Sequence, residues 1–114
     1  MAIRSRSAFC CLVAACWLLA AGTAGAEEAT FQLTIRNHRF EPTELVVPAG
    51  QKIKLEIKNL DATPEEFESY ELNREKVVPA NATVVIFVGP LKPGRYPFFG
   101  DFNKATAKGV LIAK

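Results

Sequence analysis

Beyond residue 26 the sequence has no cysteine, no methionine and no tryptophan, and it holds a single histidine, His38. These absences exclude a disulfide scaffold, a thiolate metal site and a cysteine nucleophile from that stretch. A lone histidine with no serine or cysteine at recognisable spacing gives no catalytic triad. Charge excess is missing too. Residues 27 to 114 carry 12 basic and 12 acidic side chains, so nothing there argues for nucleic-acid binding. Helical periodicity is also absent: no segment sustains an apolar stripe over three turns.

The three cysteines (Cys10, Cys11, Cys16), Met1 and Trp17 all fall in the first 26 residues, which read as an export signal. Arg4 and Arg6 precede an apolar run from about Ala8 to Ala21, and Ala24-Gly25-Ala26 forms an A-x-A cleavage site before Glu27. The run is about 14 residues, short of the ~20 that cross hydrocarbon, which argues against a retained anchor. Val13-Ala14-Ala15-Cys16 resembles a lipoprotein box, but lipidation there would leave the apolar stretch from Trp17 to Ala21 on the mature chain. The expectation is cleavage after Ala26, a periplasmic location, and one small domain over residues 27–114.

What that domain does have is period two. Phe31, Leu33 and Ile35 alternate with Gln32, Thr34 and Arg36; Ile53, Leu55, Ile57 and Asn59 alternate with Lys52, Lys54, Glu56 and Lys58. Further runs are Leu45 to Val47, Phe67 to Leu72, Thr83 to Val88, Arg95 to Phe99 and Gly109 to Ala113. Turn chemistry separates them at Pro48-Ala49-Gly50, Asp61 to Pro64, Pro79 to Asn81, Gly89 to Gly94 and Gly100 to Lys104. About seven short strands imply an all-β sandwich, because a sheet face of this size must cover another. Phe31, Phe40, Phe67, Phe87, Phe98 and Phe99 are expected in its core, whereas Phe102 on a loop is a candidate docking contact.

Phe40-Glu41-Pro42-x-x-Leu45-x-Val47-x-Ala49-Gly50-x-x-Ile53 resembles the second-strand region of the cupredoxins, which are Greek-key β-sandwiches. Asn59 then opens a loop where cupredoxins place an asparagine and, shortly after, a copper histidine. Gly94-Arg95-Tyr96-Pro97-Phe98-Phe99-Gly100-Asp101-Phe102-Asn103 is similar to their closing G-x-Y-x-F-x-C-x-x-H segment. In that register the four type-1 copper positions hold Glu65, Gly100, Asn103 and Lys108 instead of His, Cys, His and Met. A blue site needs a thiolate and two imidazoles, so type-1 copper chemistry is not expected. Glu65 to Ser69 and Pro90 to Phe102 resemble a narrower group, the EfeO-type periplasmic cupredoxin-like proteins of permease-linked ferrous iron uptake. There the closing segment often ends in histidine, where this chain has Asn103.

The resemblance implies that the turn around His38, the entry to Glu65-Glu66 and the loop Gly100 to Asn103 meet at one end of the sandwich. The candidate metal ligands are therefore His38, Glu65, Glu66, Glu68, Asp101 and Asn103. Such an oxygen-rich set suits iron, manganese or copper(II). Period two places Glu66 and Glu68 on one face of a strand and Glu65 with Ser69 on the other, so the three glutamates cannot all serve one ion. Each candidate also has a structural reading: His38 as a solvated loop residue, the glutamates as a solvated acidic run, Asp101 as a turn residue, Asn103 as loop packing. The implied role is an accessory of iron or copper transport that carries an ion to an inner-membrane iron permease, or helps oxidise it there, as a monomer or weak dimer. The alternative is a metal-free module that docks onto transport components. One histidine in 88 residues offers little for a self-sufficient ferroxidase.

Overall fold

The computed structural model describes residues 28–114; the expected signal segment lies outside them. Nine strands form two sheets. They are β1 (Ala29–Arg36), β2 (Arg39–Glu41), β3 (Glu44–Val47), β4 (Ile53–Asn59), β5 (Glu65–Ser69), β6 (Arg74–Val78), β7 (Thr83–Val88), β8 (Gly94–Gly100) and β9 (Lys108–Ala113). A single 3-10 turn over Asp101–Asn103 separates β8 from β9. The four-stranded sheet runs β2-β1-β4-β7 and the five-stranded sheet β3-β9-β8-β5-β6. The pairs β1–β4 and β3–β9 are parallel, so the chain crosses between the layers instead of meandering within one. The all-β sandwich expected from the period-two pattern is the fold observed.

Alternation decides what each strand buries. In β4 the sequence Ile53, Leu55, Ile57, Asn59 points inward and is fully buried, while Lys54, Glu56 and Lys58 stay on the outer face. Leu33, Ile35, Val78, Val88 and Leu111 complete the facing layers. At one end, three phenylalanines lock the sheets together. Phe40 from β2 meets Phe98 from β8 edge-on at 5.0 Å and Phe67 from β5 at 6.2 Å. Such edge-to-face pairs contribute about 0.5–1.5 kcal/mol each beyond their burial. Phe98 lies so close to β9 that a Cβ on Gly109 would run into its ring.

Two strands exceed the seven that the apolar runs suggest. β2 has only three residues, returned antiparallel to β1 by the two-residue turn Asn37-His38, both at positive φ. That is a hairpin turn whose handedness matches strand twist, and asparagine tolerates it well. β6 reads Arg-Glu-Lys-Val-Val and buries only Val78, so its sequence carries no alternation to detect. It is an edge strand that follows the turn Tyr70–Asn73, where β5 has already ended at Ser69. The aromatic expectation also needs correction: Phe31 and Phe99 are half-buried, and Phe87 is exposed on β7, with Lys52 Nζ 4.6 Å above its ring.

One buried amide ties the loops at the β4 end. Asn59 Nδ2 donates to the carbonyls of Thr63 (2.9 Å) and Val78 (3.2 Å), and its Oδ1 accepts the Asp61 N–H (3.0 Å). Replacing Asn59 by Ala strands these groups away from water. It is expected to cost about 2–4 kcal/mol in urea unfolding, with the m-value unchanged.

Candidate metal centre

β5 is the strand that carries the candidate chemistry. Its burial alternates strictly, with Glu65, Phe67 and Ser69 inward and Glu66 and Glu68 outward. It lies between β6 and β8, with Glu68 opposite Glu75 on one side and Phe99 on the other. Beyond β8 the 3-10 turn folds over the β5 end and brings Asp101 alongside the outward glutamates.

The inward side is closed. Glu65 is 1% exposed. Its Oε1 accepts the N–H of Phe102 (2.9 Å) and of Glu66 (3.0 Å), and its Oε2 accepts Asn103 Nδ2 (2.6 Å). A buried carboxyl is costly unless its oxygens are matched by donors, and here both are. Gly100 makes this possible: a Cβ there would lie 2.6 Å from Glu65 Cδ and 2.7 Å from Ala107 Cβ. Glu65, Gly100 and Asn103 thus converge, as the cupredoxin register implies, but the carboxyl itself occupies the space between them. Lys108, the fourth position, is exposed on β9. These residues do not fit a type-1 copper ion: they offer no thiolate and no imidazole, and no room for a side chain at Gly100.

The outward side is open and acidic. Ligand oxygens of Glu66, Glu68 and Asp101 all lie within 4.8 Å of one another. A hydrogen bond shared with the Glu75 carboxyl, partial burial and the like charges of Glu75, Asp101 and Glu68 push Glu66 up to about 7. Burial, then the charges of Asp101 and Glu75, raise Glu68 as well. Lys104 Nζ sits 3.1 Å from Asp101 Oδ1, and that contact holds the lysine above its ordinary value. The site is therefore several like charges with one lysine as partial relief, an arrangement that a small hard cation relieves further.

His38 belongs to a different construction. Its backbone N–H and that of Asn37 donate to the Asp61 carboxylate at 2.9 and 2.8 Å, and its carbonyl accepts the Thr106 hydroxyl at 2.6 Å. Those N–H bonds, that of His38 foremost, and the imidazole nearby hold Asp61 below the usual carboxylate range. The imidazole Nδ1 is 3.6 Å from Asp61 Oδ2, and His38 is not among the groups that gather with Glu66, Glu68 and Asp101. Of the six expected ligands, the structure thus brings three together, ties buried Glu65 to half-buried Asn103 in a hydrogen-bond knot, and places His38 on Asp61. Glu75 escaped the sequence reading because β6 has no periodicity. The turn signal Glu71-Leu72-Asn73 followed by a hairpin register would have found it.

A two-sheet sandwich with parallel β1–β4 and β3–β9 pairs, closed by an aromatic segment and a 3-10 turn, defines a cupredoxin-type domain. The chain belongs to the cupredoxin-like domain family, whose model matches residues 8–113. It is 48% identical over 81 residues to an uncharacterized protein of Rickettsia prowazekii (strain Madrid E), a match covering 71% of this chain and 65% of that relative's length. Among solved structures it is similar to auracyanin A, a "blue" copper protein of Chloroflexus aurantiacus, with a TM-score of 0.65 at 16% identity over 76% of this chain and 99% of that one. Amicyanin of Paracoccus versutus superposes with a TM-score of 0.58 at 14% identity over 78% and 83% of the two chains. At these identities the likeness speaks for the fold alone.

Two outcomes follow from the knot and the cluster. Glu65→Ala leaves three donors without an acceptor beside a new cavity and is expected to cost about 3–5 kcal/mol in denaturant unfolding. Glu65→Gln is expected to cost under about 1 kcal/mol, because the Asn103 amide can flip to accept the new N–H while Oε1 keeps both backbone donors. Since the folded chain holds a proton on Glu66 up to about pH 7, against an unperturbed 4.5, that stabilising contribution is complete below pH 4.5 and is lost as pH rises through 7. The melting temperature is expected to fall between pH 5 and 7.5, and Glu66→Gln to flatten that slope.

Proposed function

We propose that the protein is an exported, periplasmic accessory of metal transport, of the EfeO type. In this reading it holds ferrous iron, or copper(II), through Glu66, Glu68 and Asp101, and passes the ion to an inner-membrane iron permease or supports its oxidation there. The observation that carries the reading is the outward triad: three half-buried carboxylates within 4.8 Å, one of them keeping its proton to about pH 7. Oxygens at that separation span the width of an ion bound at about 2.1–2.5 Å. A cation entering there replaces a proton and neutralises the repulsion. Binding is labile by construction, since the ligands face solvent and Lys104 competes for Asp101. Such a site suits a carrier better than a storage protein. The order of ligand preference favours copper over iron at equal concentration, so supply would select the ion.

Anaerobic titration with Fe(II), Mn(II) and Cu(II) tests this. Saturable 1:1 binding is expected, lost in Glu66→Gln/Glu68→Gln and retained in His38→Ala. Because Glu66 must give up its proton, affinity is expected to rise roughly tenfold from pH 6 to pH 8. Absence of saturable binding, or binding that depends on His38 and not on the glutamates, contradicts the proposal.

One observation favours a second reading. The Glu65 carboxyl cross-links this end of the sandwich through hydrogen bonds to Phe102 and Asn103, a brace made of the chain's own groups. Phe102 (49% exposed) and Tyr70 (73% exposed) then flank the end as contacts for a transport partner. Metal-free protein that binds the permease as tightly as loaded protein, with loss on Phe102→Ala, would favour this metal-independent module.

A further inference from the structure

Next to the acidic triad, the outer face of the five-stranded sheet carries a groove of about 450 Å³ lined by Tyr70, Pro97, Phe98, Phe99, Lys104, Lys108 and Gly109. Its chemistry is the reverse of the triad's. The floor is aromatic and apolar, with the Tyr70 and Phe99 rings 5.6 Å apart and inclined at 53°. The rim is basic. Lys104 Nζ stands 5.8 Å from the Phe99 ring, and Lys108 makes no ion pair among the described residues. Lys104 also joins the two features, because its other contact is Asp101 of the triad. Tyr70 remains 73% exposed, leaving one face of its ring uncovered.

We propose that this groove binds a small aromatic carboxylate, whose ring lies on the open side of the Tyr70–Phe99 pair and whose anion is held by Lys108 and Lys104. The volume falls within the range of small-ligand pockets, and a few polar groups around an apolar floor are the pattern such pockets share. Charge complementarity selects the ligand's sign: two lysines line the groove and no carboxylate does. A flat ring suits the inclined aromatic pair, and an aliphatic acid would leave that floor wet. The inference deepens the proposed function and rests on it in one respect. As Lys104 turns from Asp101 to the ligand, Asp101 is released to the cation, so anion and cation favour one another. An ion presented together with an aromatic acid then meets a ready site for each part.

Metal-free protein and benzoate, a poor chelator, test the groove independently of any metal. In heteronuclear NMR, benzoate is expected to saturate and to shift the amides of Phe99, Lys104, Lys108 and Gly109. Its affinity is expected to fall at least fivefold in Lys108→Ala and in Tyr70→Ala, neither of which is a triad carboxylate or a buried core residue. Benzamide, its neutral counterpart, and acetate, which lacks the ring, are each expected to bind at least fivefold more weakly. A second arm measures Mn(II) affinity, expected to rise two- to threefold at saturating benzoate and to lose that dependence in Lys104→Ala. Benzamide binding as well as benzoate, shifts outside the groove, or affinity indifferent to Tyr70 and Lys108 overturns the proposal. So does self-association through this face, abolished by Tyr70→Ala, in protein that takes up no benzoate. Failure of Mn(II) to bind while benzoate does would sink the transport reading and the coupling, and leave the anion site standing.

Discussion

The carboxyl of Glu65 is the constraint on which this end of the molecule depends. It reaches inward from the start of β5 and accepts hydrogen bonds from the Phe102 and Glu66 backbones and the Asn103 amide. A strand, the turn after β8 and a side chain on that turn are thereby fixed to one buried group. In the cupredoxin register, these are the segments that the sequence resemblance assigns to type-1 copper ligands. Here a covalently attached acceptor makes the cross-link, and Gly100 supplies the space for it. The substitutions at the four copper positions are then not independent losses. Glu65 requires Gly100 for room and Asn103 for a donor, so three of them form one alternative solution to the same packing problem.

The same group organises the outer surface. Because Glu65 binds the N–H of Glu66 on one side and that of Phe102, next after Asp101, on the other, it fixes how far apart those two carboxylates stand. Strand periodicity does the rest by sending Glu66 and Glu68 outward while Glu65 faces in. The consequence is a division of labour among neighbouring acids. One is buried and satisfied by donors; the others face solvent and crowd one another, which raises the proton affinity of Glu66 and Glu68. Repulsion held in place by a rigid scaffold is what gives a cation something to relieve.

Much of this was legible in the sequence. β1 and β4 alternate so regularly that their inward faces are read directly, and the opposition of Glu65 to Glu66 and Glu68 follows from period two alone. The order of turn, strand and closing aromatic segment disclosed the fold. What was not legible depends on tertiary register. β2 is too short and β6 too polar to announce themselves, so Glu75 stayed hidden. His38 drew attention as the single imidazole, yet its place is set by backbone: two N–H groups at positive φ presented to Asp61. Nor does a sequence reveal that a glutamate at a ligand position fills the ligand's cavity, since that turns on a clash at Gly100 measured in tenths of an ångström.

The most direct test separates the buried carboxyl from the exposed ones in a single experiment. Carbon-detected NMR resolves individual side-chain carboxyl resonances, and zinc serves as a diamagnetic probe ion. On titration the carboxyl carbons of Glu66, Glu68 and Asp101 are expected to shift together and saturate at one equivalent, while the Glu65 carboxyl and the Phe102 amide stay within their metal-free linewidths. Early movement of Glu65 with Phe102 and Asn103, and stationary Glu66 and Glu68, would contradict the division between a closed interior and an open acidic face.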